Sequence, residues 1–239
     1  MIALYNAILL KPIFNALIAL YNVTGDVGIA IVLLTLLVRL IILPITLQSL
    51  KSQKALQGLQ PKLSALKEKY KGDKPGLAKA TMALYKEEKV NPASSCLPLL
   101  VQLPIFIALY QALVQGLKNG GMDMLYGFVS KPETVSALAF GFLDLAKASI
   151  PIAVLAGISQ FWQAKMLSTQ MPSKKIEGSK DEAMLGMMNK QMLYAMPVMT
   201  VVIGWSLPGG LILYWLVTNL LTILQQYVFL KPKPRVKNS

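Results

Sequence analysis

Arg39 is the residue whose chemistry most needs explaining. It stands alone as the one charge in the apolar stretch Val27–Gln48. An Arg at the centre of a bilayer span costs roughly 2.5–3.5 kcal/mol on insertion scales, so its presence implies a compensating environment or a task. Two readings stand side by side. The side chain can snorkel, since at about 1.5 Å per residue the nearer interface lies roughly 12 Å away. Alternatively it lines a wet, inward-facing cavity and attracts negative charge. No Asp or Glu falls in any apolar stretch to pair with it, so the charge is free for a visitor.

Other polar residues in apolar surroundings could complete such a cavity. Thr35 lies one helical turn from Arg39, and Gln102 is isolated in a second apolar run. Trp215, Asn219, Thr222 and Gln226 recur at helical spacing in the last one. Each has an ordinary alternative as a hydrogen bond between neighbouring helices. Together they point to a shared polar interior.

Little else could react. The chain has no His and one Cys, Cys96, which removes Ser-His-Asp and Cys-His catalysis, His/Cys zinc sites and any internal disulfide. It contains no G-x-x-x-x-G-K-[ST] loop. We expect neither an enzyme nor a cofactor.

The elements that position these residues are hydrophobic spans. Of 239 residues 54% are hydrophobic and 15% charged, and the mean hydropathy is +0.52. A soluble domain carries about 25% charged residues. Helices of about 20 apolar residues cross a bilayer, and five candidates appear. They are Val27–Gln48, Ser94–Gly116, the shorter Ser149–Gln163 and Met192–Leu207, and Leu211–Leu230, the last preceded by a Pro208-Gly209-Gly210 turn. The fold expected is all-α and polytopic. Residues 1–24 form an N-terminal interfacial helix, 25–50 the first span, 51–93 a cytoplasmic hairpin, 94–230 spans two to five, and 231–239 a basic tail.

The hairpin rests on Leu56, Leu59, Leu63, Leu66 and Tyr70, an apolar stripe at helical spacing in a segment holding ten Lys. A second helix, Leu77–Lys89, stops before Asn91-Pro92. The interfacial assignment rests on Lys11, Asn15, Ile18 and Asn22, which share one face of a helix laid on the outer surface; a sixth span over residues 1–23 is the alternative. Eight of twelve Met fall between Met166 and Met199. Met184, Met188, Met192, Met196 and Met199 share a face, either as flexible filler or as an adaptable surface for varied apolar partners.

Charge fixes the orientation. The net charge is +13, and segments 51–93, 165–190 and 231–239 hold ten, five and four of the 24 Lys and Arg. Segments 1–27 and 117–150 are neutral on balance. The positive-inside rule therefore places the N-terminus outside and the C-terminus in the cytoplasm of a plasma-membrane protein. Anionic lipids and an acidic cytoplasmic partner such as ribosomal RNA fit the basic balance.

Several runs resemble one family. Gly28–Pro44, with its Arg, is similar to the first core span of the YidC/Oxa/Alb membrane protein insertases. L-Q-P-K-L at 59–63, K-Y-K-G-D-K at 69–74 and N-P-A-S-S-C-L-P-L-L-V-Q-L-P-I-F-I-A-L-Y at 91–110 resemble it too. So do F-L-D-L at 142–145 and L-P-G-G-L-I-L-Y-W-L-V-T-N at 207–219. The resemblance covers nearly everything after residue 24. It implies a five-helix core around a hydrophilic groove open to cytoplasm and lipid. In that groove Arg39 attracts acidic client segments while the client's apolar segment leaves along the second and fifth spans. Nascent membrane proteins are the implied clients of a monomer, with the ribosome and the Sec translocon as further partners. The sequence holds no counterpart of the large extracytoplasmic domain of many Gram-negative members, so a short form is expected. The brief tail weakens any expectation of tail-dependent ribosome docking. A small secondary transporter or channel is the alternative from another class, although carriers of protons or cations usually hold an intramembrane carboxylate. A passive folding factor is a third.

Overall fold

The structure, a computed structural model, describes residues 2–91, 94, 97–118, 120–168 and 191–229. Ile2–Tyr5, the π-turn Asn6–Leu10 and Lys11–Thr24 join into one rod, α1. Gly25 ends it in the left-handed region (φ 68°), where a side chain would be strained. Asp26 then opens α2 (Val27–Ile41): its Oδ1 accepts the amides of Gly28 at 2.7 Å and Ile29 at 3.0 Å, satisfying two donors of the first turn. Its other oxygen accepts the Phe140 amide and ties a distant loop to the same point.

The expected first span is broken. After α2 the chain turns by 64° and continues as α3 (Leu43–Gly58). Pro44 explains the break, because it has no amide to offer the Leu40 carbonyl and its ring crowds that turn. Next come α4 (Gln60–Lys69), α5 (Lys74–Glu87) and α6 (Leu97–Leu117). A short antiparallel hairpin of β1 (Leu138–Ala139) and β2 (Leu143–Asp144) precedes α7 (Ile150–Ser168). The π-turn Gln191–Ala195 leads into α8 (Met196–Gly204), and α9 is Gly209–Phe229. Gly209 and Gly210 thus open a helix instead of forming a turn. A side chain at Gly210 would come within 3.1 Å of Ile31, and one at Gly209 within 3.0 Å of the Lys147 carbonyl.

Among the described residues, three helices are long and apolar enough to cross a membrane: Ala3–Thr24, Leu100–Leu117 and Gly209–Phe229. The bent α2–α3 pair makes a fourth. The N-terminal helix therefore passes the same length and composition test, and part of the face read as interfacial, Asn15 and Ile18, is buried against the rest of the protein. Asn15 is buried, donating to the Lys11 and Met124 carbonyls and accepting the Tyr126 amide. Asn22 donates to the Ser130 carbonyl. Polar groups that looked fit for a lipid surface serve instead to hold the 120–136 loop. Phe14 and Ile18 of α1, Ile31 and Leu34 of α2, Leu109 and Leu113 of α6, and Leu211 and Ile212 of α9 form the common core.

A second, small core lies apart. Leu59, Leu63 and Leu84 bury one another between α4 and α5, with Leu66, Tyr85 and Val90 against them. Lys62 and Glu88 close this helical hairpin with an ion pair, and the hydrogen bond and charge of Glu88 raise the Lys62 ammonium above its ordinary pKa. Because the two cores share no buried residue, replacing residues 55–88 by a short Gly/Ser linker should leave the main core intact. Thermal unfolding of the detergent-extracted protein should shift by no more than a loop change does, about 1 kcal/mol. Loss of the folded species would show that the hairpin braces the core.

Candidate functional site

The site forms where α2 meets α9. Arg39, in the last turn of α2, is 9% exposed. Its Nη2 donates to the Thr218 carbonyl at 2.8 Å and to the Thr222 hydroxyl, both on α9. The Thr222 hydroxyl in turn donates to the same carbonyl at 2.8 Å. Buried nearby without a hydrogen-bond partner are Arg39 Nε and Thr218 Oγ1. Beside this cluster Gln102 of α6 donates to the Tyr214 hydroxyl at 2.6 Å. The residues facing α2 and α6 are thus Tyr214, Thr218 and Thr222, four apart on one face of α9.

That face is not the stripe the sequence shows. Consecutive helix residues point about 100° apart, so a stripe shifted by one position serves a different neighbour. Asn219 turns to α7, where it donates to the Ala156 carbonyl at 3.2 Å and Ser159 Oγ at 3.1 Å. Trp215 packs edge-on against Phe106 of α6, with ring centroids 5.5 Å apart. Gln226 is buried, and its Oε1 has no partner. Thr35 is fully buried, its hydroxyl donating to the Ile31 carbonyl one turn back. Of the residues expected to line one cavity, the structure joins Arg39 with Thr222 and places Gln102 beside them. Thr35 and Asn219 are packed among helices, and Trp215 is an aromatic contact. Sequence reading missed Tyr214 and Thr218. Gln102 was the signal for the first, because a buried amide in an apolar helix needs a partner.

This arrangement holds a positive charge among buried, neutral polar groups. Among the described residues no carboxylate lies at ion-pair distance from Arg39, whereas Lys62 pairs with Glu88 and Lys147 with Asp144. Of the methionine face, Met196 and Met199 are exposed, while Met184, Met188 and the Met192 side chain lie outside the described residues. The basic tail and Cys96 lie outside them as well.

The profile of the family described as 60Kd inner membrane protein matches residues 19–236. A "Membrane protein insertase YidC" of Fusobacterium nucleatum is 37% identical over 207 residues, which are 87% of this chain and 87% of the relative. One of the same name from Pelobacter propionicus is 36% identical over 222 residues, covering 92% of this chain and 38% of the relative. This chain therefore spans well under half the length of that longer relative. Among solved structures, "Active YidC insertase crystal structure with the first transmembrane domain resolved" aligns with a TM-score of 0.62 at 27% identity. The alignment covers 96% of this chain and 47% of that one.

Proposed function

The chain belongs to the 60Kd inner membrane protein family, the YidC/Oxa/Alb insertases, and on that premise we propose that this multi-pass membrane protein inserts client membrane proteins and helps them fold. The observation that carries the reading is Arg39: a buried cation, hydrogen-bonded to neutral oxygens of α9, with no carboxylate beside it among the described residues. A charge left in that condition favours an anionic visitor, because a carboxylate bonds a guanidinium more strongly than a neutral oxygen does. The guanidinium is covered at rest, so an acidic client segment exchanges with the Thr222 hydroxyl as it arrives. Gln102 and Tyr214 supply neutral polar surface beside it.

The charge distribution supports an N-terminus outside and a cytoplasmic C-terminus, which makes the α4–α5 hairpin cytoplasmic. We assign it the recruitment of clients, with the ribosome or Sec translocon as delivering partners, and anionic lipids as its surroundings. The 55–88 deletion should then lower insertion in cells while the core stays folded.

Reconstitution tests the central reading. A single-span client should enter liposomes holding the purified protein far faster than protein-free ones. Equal rates would leave a passive folding factor. The channel alternative is tested by thiol access in a Cys96→Ser background. Gln102→Cys, half-buried, should react with a membrane-impermeant reagent from the cytoplasmic face alone. Thr35→Cys and Asn219→Cys, packed inside the bundle, should stay unreactive. Labelling of Gln102→Cys from both faces would establish a continuous pore.

A further inference from the structure

A second basic site lies beyond the break at Ile42, and the Arg39 cluster does not use it. Leu47, Leu50, Lys51 and Lys54 sit at i, i+3, i+4 and i+7, on one face of α3. With Phe229, at the end of α9, they line a pocket between the two helices. Leu50 is buried at its base, and both lysines are exposed. Lys54 Nζ stands 3.5 Å from the Phe229 carbonyl oxygen.

The depth of the pocket follows from helix lengths. The 21 residues of α9 span about 31 Å, which matches a hydrocarbon core of about 30 Å. Phe229 therefore marks the level at which α9 leaves the apolar layer. With 15 residues α2 reaches only about 22 Å, and the apolar start of α3, turned 64° from it, adds a shorter rise before Lys51 arrives. Both helices deliver the pocket to the head-group level of one bilayer surface. No Asp or Glu occurs between Val27 and Lys67, or anywhere in α9, to neutralise the lysines from these elements. Capping the last carbonyls of α9 would account for Lys54, but for neither Lys51 nor the apolar floor.

We propose that this pocket binds one anionic phospholipid, its phosphate between Lys51 and Lys54 and an acyl chain along Leu47, Leu50 and Phe229. The site stands whether or not the chain is an insertase, and its test reads lipid binding alone. The full chain is reconstituted in mixed phosphatidylglycerol and phosphatidylcholine, extracted gently, and the retained lipid is measured by native mass spectrometry. The wild type should retain phosphatidylglycerol selectively. A basic residue at an anionic surface is worth roughly a fivefold factor, so Lys51→Gln/Lys54→Gln should reduce that selectivity by about 25-fold. The Lys51→Arg/Lys54→Arg protein should keep it, as should Lys79→Gln/Lys86→Gln in the hairpin. Unchanged selectivity in the first pair, or an equal loss in the hairpin pair, overturns the assignment. So does displacement of the lipid by excess soluble glycerol phosphate, which would show that the apolar floor contributes nothing.

Discussion

Arg39→Ala is expected to slow insertion of a client with an acidic translocated tail by about one to two orders of magnitude, the range set by 1.5–3 kcal/mol for hydrogen bonds to a charged group. Arg39→Lys should keep much of the activity, because an ammonium supplies the charge and, like the single Nη2 that bonds both the Thr218 carbonyl and the Thr222 hydroxyl, can donate to two oxygens. Arg39→Glu should be worse than Ala, since it places an anion where an anion must arrive. A client with a neutral tail should lose little in any of the three. The measurement is protease protection of the translocated tail in proteoliposomes, with thermal unfolding of each variant as a folding control. Thr222→Val adds a further arm: it removes one acceptor of the guanidinium at nearly constant volume, so the charge is freer and the acidic client should not be slowed. Equal rates for Arg39→Lys, Ala and Glu would remove the electrostatic role altogether.

How far this site could be read from sequence depends on which physical signal each residue carries. Arg39 was legible because a lone charge in an apolar run is costly wherever the helix sits, so no knowledge of neighbours is needed. The hairpin was legible through Leu59, Leu63 and Leu66, whose spacing reports one face of one helix. The membership of the cluster was not. Which side of α9 meets α2 depends on rotation about the helix axis, and Trp215, Asn219 and Thr222 formed a polar stripe regardless of what each one faced. The structure divides them among Phe106, Ser159 and Arg39. Tyr214 escaped notice because a tyrosine in an apolar span looks like packing until its hydroxyl finds Gln102.

The backbone shows the same division. Pro44 signalled interference with a helix, but the 64° turn follows from how α3 then packs, which no local preference supplies. Residues 1–24 pose a related problem. Asn15 and Asn22 were weighed against water and lipid, the only partners visible in a local window. Besides the Lys11 carbonyl, their partners are carbonyls and an amide in the 120–136 loop, more than 100 residues away.

Tail charge should be the dominant variable in the rate of the whole process, and nucleotide should be irrelevant. A client helix gains about 0.3–0.6 kcal/mol for each Leu, Ile, Phe or Val that enters lipid, several kcal/mol over one span. That gain should suffice to drive insertion without ATP. Opposing it are the tail's charges, each costing roughly 2.5–3.5 kcal/mol at the bilayer centre, or about two orders of magnitude in rate if none were relieved. Arg39 can relieve one carboxylate, because the cluster has one cation and one exchangeable hydroxyl. The expected series is therefore uneven. In nucleotide-free proteoliposomes, the first acidic residue added to a neutral tail should cost little in rate, and the second and third should each slow translocation by tenfold or more. Added lysines should slow it from the first, since Arg39 repels them. In Arg39→Ala proteoliposomes the first acidic residue should become as costly as the second. Uniform slowing by every added charge, whatever its sign, would mean that the barrier is set by the lipid and that the buried guanidinium plays no part in crossing it.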